Sequence, residues 1–178
     1  MHARTRELLT HYDSQRAILK SAFDSVPPVR RNEPPEPGRW SAANVVEHLA
    51  IVENRMAGIL SSRIREEREA GLAEETSAEP MIPGLNMSRI TDRAMRVQAP
   101  DFAIPTGLEA AAAWTQLEVA TAALRAMILS GDGLALNSVI HPHSRLGPMS
   151  VYQWIAFLAA HEARHAAQIR EIAGTAPV

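Results

Sequence analysis

The sequence predicts an all-α protein, a four-helix bundle. Three observations carry that expectation. Four long stretches repeat apolar residues every three or four positions, the period of a helix with one inward face. Helix-start signals stand at Ser41, Thr106 and Ser150. No segment offers a convincing alternating run of strand residues.

The first helix is expected from about Arg4 to Ser25, with Leu8, Tyr12, Gln15, Leu19, Ala22 and Val26 along its inward stripe. Pro27 and Pro28 stop it, and "VPPVRRNEPPEPGR" cannot hold regular structure. The second helix starts at an N-cap, Ser41, with Trp40 and Val45 spaced as a hydrophobic staple. Its stripe is Val45, Leu49, Val52, Met56 and Ile59. Its charged end, with Arg65 and Glu69 at i,i+4, reads as solvated, and Gly71 is a plausible stop.

Residues 72–105 form a long connection rich in Pro, Gly and Met, with a short helix expected over Ser88 to Val97. A link this long crosses the molecule or carries function. Met81, Met87 and Met95 are expected to fill irregular gaps in it. The third helix opens with "TGLE", read as a capping box of Thr106 and Glu109. It runs along Ala110, Trp114, Leu117, Thr121, Leu124 and Ile128 to "SGDG". The fourth opens with the box "SVYQ", Ser150 and Gln153, stapled by Met149 and Trp154, and Gly174 closes it. One domain over residues 1–178 is expected.

Composition narrows the function classes. The chain has 178 residues, 46% of them hydrophobic, and a formal net charge of -2, so it carries no basic footprint for nucleic acid. No stretch approaches the roughly 18 to 20 apolar residues of a membrane span. The N-terminal stretch is polar and charged where a signal peptide would be apolar, so a cytoplasmic location is expected. The sequence has no cysteine, so disulfides and thiolate ligands are excluded, and metal chemistry rests on seven histidines and the carboxylates.

Three of those histidines fall on inward faces. On the fourth helix, Val151, Trp154 and Leu158 step by three and four, and the same stepping lands on His161, His165, Gln168 and Ile172. On the second, His48 lies three residues after Val45 and four before Val52. Buried neutral imidazoles need partners for both ring nitrogens, and a metal ion supplies one common partner. An i,i+4 pair can reach one ion, with a third ligand from a facing helix. His141 and His143, in the loop before the fourth helix, could line a pocket mouth or bind a second ion, but read more simply as loop residues. Trp40, Trp114 and Trp154 read as packing residues.

His161, Glu162 and His165 also fit H-E-x-x-H, the helical signature of zinc proteases. The context argues against that chemistry. The extended motif would want Gly and His where Gln168 and Glu171 stand, a more distant glutamate ligand is not expected in the short remainder, and no strand is expected to hold a substrate peptide. Glu162, beside the interior stripe, is expected to flank it.

"WSAANVVEHLA" and "HPHSRLGPMSVYQWIAFLAAHEARHAAQI" together resemble the DinB/YfiT-like superfamily, and "APDFAIPTG" is similar to its sequences as well. The resemblance implies an up-down-down-up bundle with a long crossover between the second and third helices, often paired as a homodimer. It implies a divalent metal held by His48, His161 and His165, with Gln168 matching a recurrent glutamine. It also implies a metal-dependent enzyme on small molecules, either a hydrolase or a transferase using a low-molecular-weight thiol. The alternative is a non-catalytic metal-binding or stress-response module. Imidazole ligation favours Zn, Ni, Fe or Cu over Mg or Ca.

Overall fold

Proline and local capping set the helix boundaries. In the computed structural model, which describes residues 1–174, α1 (Ala3–Asp24) ends just ahead of Pro27 and Pro28. α2 (Ala42–Glu69) starts from Ser41, whose hydroxyl accepts from Asn44 N–H while the Asn44 side chain accepts from Ser41 N–H. α5 (Val151–Ala173), the fourth predicted helix, has the reciprocal bonds between Ser150 and Gln153. Gly174, at φ 76°, takes the left-handed turn that releases α5. At the charged end of α2 it is Arg63 that pairs, with Glu66 and Glu67, rather than Arg65 with Glu69.

The third predicted helix, α4 (Ala110–Ser130), departs from its expected start. Glu109 occupies the cap position without a side-chain capping bond, and the Asn32 side chain from the proline-rich linker accepts from Ala110 N–H at 2.8 Å. Thr106 is no cap: its N–H and hydroxyl both donate to Glu47 on α2. A buried carboxylate claims those donors before the helix can.

The crossover holds one short α-helical turn, α3 (Ser88–Thr91), where Ser88 to Val97 was expected, with 3-10 turns at Ile82–Gly84 and Asp101–Ala103 on either side of it. Arg164 on α5 donates to the carbonyls of Ile90, Asp92 and Met95, so those carbonyls are not free to extend a helix. Met81 packs against the core as expected, while Met95 is 39% exposed. Strands, which the sequence does not announce, appear once among the described residues. β1 (Ile140–His143) and β2 (Gly147–Ser150) pair antiparallel, Ile140 opposite Ser150 and His143 opposite Gly147. Gly147, at φ 79°, serves the turn between them. This hairpin feeds directly into α5.

Two apolar clusters fix the order of the four long helices. One gathers Leu8 and Tyr12 from the start of α1, Leu60 and Ile64 from the end of α2, Leu124 and Ile128 from the end of α4, and Ile155 and Leu158 from the start of α5. The other gathers Leu19 and Phe23, Val45 and Leu49, Ala113 and Leu117, and Ala166 and Ile169. Hence α1 and α5 run one way and α2 and α4 the other. The bundle is up-down-down-up, with the crossover joining the two parallel middle helices. Polar side chains of α1, α2 and α5 lie between the clusters. No helix among the described residues is long and apolar enough to cross a membrane.

Candidate metal centre

Antiparallel packing of α2 against α5 brings the beginning of one beside the later half of the other. His48 comes from the second turn of α2, and His161 and His165 from successive turns of α5. His48 Nε2 lies 3.4 Å from His161 Nε2, and His165 Nε2 lies 3.0 Å from it. Two ligands of one tetrahedral ion at ~2.05 Å would be about 3.3 Å apart. His48 and His165 are buried, and His161 keeps part of its surface accessible.

The other ring nitrogens explain why the Nε2 atoms face inward. His48 Nδ1 lies 2.7 Å from the Ala103 carbonyl oxygen, and a carbonyl only accepts, so Nδ1 carries the proton. His165 Nδ1 lies 2.9 Å from Gln168 Oε1, which likewise accepts. Both rings therefore turn a lone pair toward the cluster. His161 Nδ1 is buried with no hydrogen-bond partner. Three rings with converging nitrogens suit a cation better than one another, because one N–H can satisfy only one neighbour.

Electrostatics keep the cluster neutral. Burial pushes His161 down to about 3, with His48 adding to the effect. Burial also drives His165 well below its ordinary value, helped by His161 and His48 against the opposing bond to Gln168. His48 is lowered by burial in the same way. A metal binds the neutral imidazole, so these rings need lose no proton at neutral pH. Among the described residues, His48, His161 and His165 form a group able to hold a metal ion.

Aromatic rings frame the group. Trp40 lies against His48, and Phe157 stacks on His161 with centroids 5.7 Å apart. His141 and His143 stand on the hairpin outside the three-histidine group. His143 packs against Trp154 and Phe157, and its Nδ1 accepts from Arg145 and Leu146 N–H. His141 contributes its carbonyl to Trp154 Nε1–H at 2.8 Å. Trp114 stacks on Phe23, the packing role expected of it.

Glu162 corrects the sequence reading. It is no flank but fully buried, and it belongs to a different cluster from the histidines on either side of it. Its Oε1 lies 2.5 Å from Arg16 Nη2. The same Arg16 nitrogen donates to Glu53 Oε2 at 2.6 Å, and that oxygen also accepts from Tyr12 Oη–H at 2.7 Å. Burial, then Glu53, pushes Glu162 well above its ordinary value, against the pull of Arg16. A zinc-protease glutamate must face the reacting water; this one faces α1.

A sequence model of the DinB superfamily matches residues 11–169. The chain belongs to the DinB superfamily. Among curated proteins, this DinB-superfamily chain is similar to the "uncharacterized protein YuaE" of Bacillus subtilis (strain 168), 26% identical over 143 residues, covering 79% of this chain and 82% of that protein. No solved structure matches the chain.

Glu47 and the Ala103 carbonyl beside the histidines, and Arg16 and Glu53 in the separate cluster around Glu162, are buried polar groups that sequence reasoning missed. One signal was available for Glu47 and Glu53: each is an acidic residue inside the apolar arc of α2, where an uncompensated charge would be costly.

Proposed function

We propose that this DinB-superfamily protein binds one divalent metal ion through His48, His161 and His165 and uses it in an enzymatic reaction on a small molecule. The observation that supports the reading is the convergence of three Nε2 atoms, two of them with lone pairs fixed by hydrogen bonds at the opposite ring nitrogen. Three neutral nitrogens favour Zn, Ni or Fe, and leave positions for water or substrate. When bound, the ion supplies Lewis acidity to lower the pKa of water for hydrolysis or of an external low-molecular-weight thiol for transfer. The thiol is external because the sequence has no cysteine. Gln168 orients His165, the Ala103 carbonyl orients His48, and Trp40 and Phe157 shield the rings from water. A small-molecule substrate, a homodimer and a cytoplasmic location belong to the same proposal.

A second reading, a metal-binding module without turnover, has one observation in its favour. Two surface cavities, of about 530 and 180 Å³, are lined by residues other than the three histidines. Cobalt(II)-loaded protein separates the two. A visible spectrum that changes on adding a small thiol or azide supports open positions and the enzyme. A spectrum indifferent to both contradicts them and supports the module.

A further inference from the structure

We propose that Glu47 is a positioning residue for this centre: its carboxylate clamps the backbone ahead of α4, holds the Ala103 carbonyl on His48, and so sets the His48 tautomer. The consequence for metal affinity rests on the metal-binding reading above; the consequence for the tautomer does not.

Glu47 is 1% exposed and immediately precedes His48 on α2. Its two oxygens collect four donors. Oε1 accepts from Thr106 N–H at 2.7 Å and from the Thr106 hydroxyl at 2.6 Å. Oε2 accepts from Gly107 N–H at 3.0 Å and Leu108 N–H at 2.9 Å. Three consecutive amides can turn toward one carboxylate because Gly107 sits at φ 97°, where a side chain would be strained. Both oxygens accept backbone N–H groups, the pattern of an acceptor-only carboxylate, and charge-assisted bonds of this kind are the stronger class.

What it clamps matters for the site. Ala103 lies three residues upstream of Thr106, is fully buried, and ends the turn Asp101–Ala103. Its carbonyl is the partner of His48 Nδ1. So short a tether leaves the carbonyl little freedom once residues 106–108 are fixed on the preceding position of the same helix. With the carbonyl in place, Nδ1 keeps the proton and Nε2 offers its lone pair toward His161. With the carbonyl displaced, the neutral ring can carry its proton on Nε2 instead, where it blocks ligation.

A purely structural role, tying the start of α4 to α2, would change stability and leave the tautomer alone. The test therefore reads both. Long-range ¹H–¹⁵N correlation on metal-free protein should show His48 as the Nδ1–H form in wild type. In Glu47→Gln it should show a mixture or the Nε2–H form. Chelator competition should show zinc affinity weakened roughly 10- to 100-fold, the usual effect of losing a group that orients a ligand. If Glu47→Gln does not fold cooperatively, Glu47→Asp, which keeps the charge but withdraws it by one methylene, is expected to shift the tautomer in the same direction. A folded variant with the wild-type tautomer and unchanged zinc affinity overturns the proposal. If the tautomer shifts but wild type itself binds no zinc, the clamp stands and the metal reading falls.

Discussion

His48 and His161, 113 positions apart in the chain, bring their Nε2 atoms to 3.4 Å. The helix order makes this possible. Because α2 opposes α5 in direction, the early turns of α2 meet the later turns of α5, where the i,i+4 pair waits. The long crossover that creates the order also delivers the Ala103 carbonyl to the back of His48. One piece of topology thus supplies both the third ring and its orientation.

Gln168 should matter to metal affinity more than to stability. Its Oε1 is the acceptor that keeps the His165 proton on Nδ1. Gln168→Leu is expected to weaken zinc binding roughly 10- to 100-fold, measured by chelator competition, with a small change in the melting temperature of the metal-free protein. A drop in stability with unchanged affinity would contradict the role assigned to it.

Glu162 should be dispensable for metal binding although it sits between the two α5 histidines. Glu162→Gln is expected to retain wild-type metal stoichiometry, because the carboxylate faces Arg16 and not the cluster. Arg16→Met is expected to destabilise by roughly 3–5 kcal/mol in chemical denaturation, since it strands the Glu53 charge in the interior without its cation. Loss of metal from Glu162→Gln would reopen the protease-like arrangement.

The helices were legible because their signals are local. Ser41 and Ser150 lie within three residues of the groups they cap, and the stripes through His48, His161 and His165 follow one helical period. Thr106 was misread because the group that takes its hydrogen bonds, Glu47, is 59 positions away. The hairpin was illegible for another reason: its strands are four residues each, interrupted by Pro142 and Pro148, so no alternation develops. Glu162 reads as a flank in the sequence because a single stripe of three-and-four spacing passes beside it. α5 is instead buried around most of its circumference from Val151 to Ala160, and at Glu162 its second inward side meets α1.

Acid should loosen the end of the bundle far from the histidines. Glu75 accepts from Arg4, Ser77 N–H and Tyr152, tying the crossover to α1 and α5. Burial would raise its carboxyl, but the bonds from Ser77, Tyr152 and Arg4 hold it below the ordinary 4.5. A depressed carboxylate contributes stability that is fully present above the unfolded value and is lost as pH falls through the folded one. Melting temperature should therefore fall below about pH 4.5, and Glu75→Gln should reduce that dependence. An identical pH profile in the variant would contradict the assignment.

Metal should stabilise the folded chain by mass action. Zinc at about 100 times its dissociation constant is expected to add about 2.7 kcal/mol to unfolding, and chelation should remove it. His165→Ala should abolish the zinc-induced rise in melting temperature; an undiminished rise would place the ion elsewhere.

The most direct test is metal content by elemental mass spectrometry on untagged protein, wild type beside His48→Ala. A three-histidine centre predicts close to one ion per chain in wild type, largely lost when His48 is removed while the variant remains folded. Wild type that stays empty after incubation with zinc, nickel or iron, or a His48→Ala protein that keeps its ion, would contradict it.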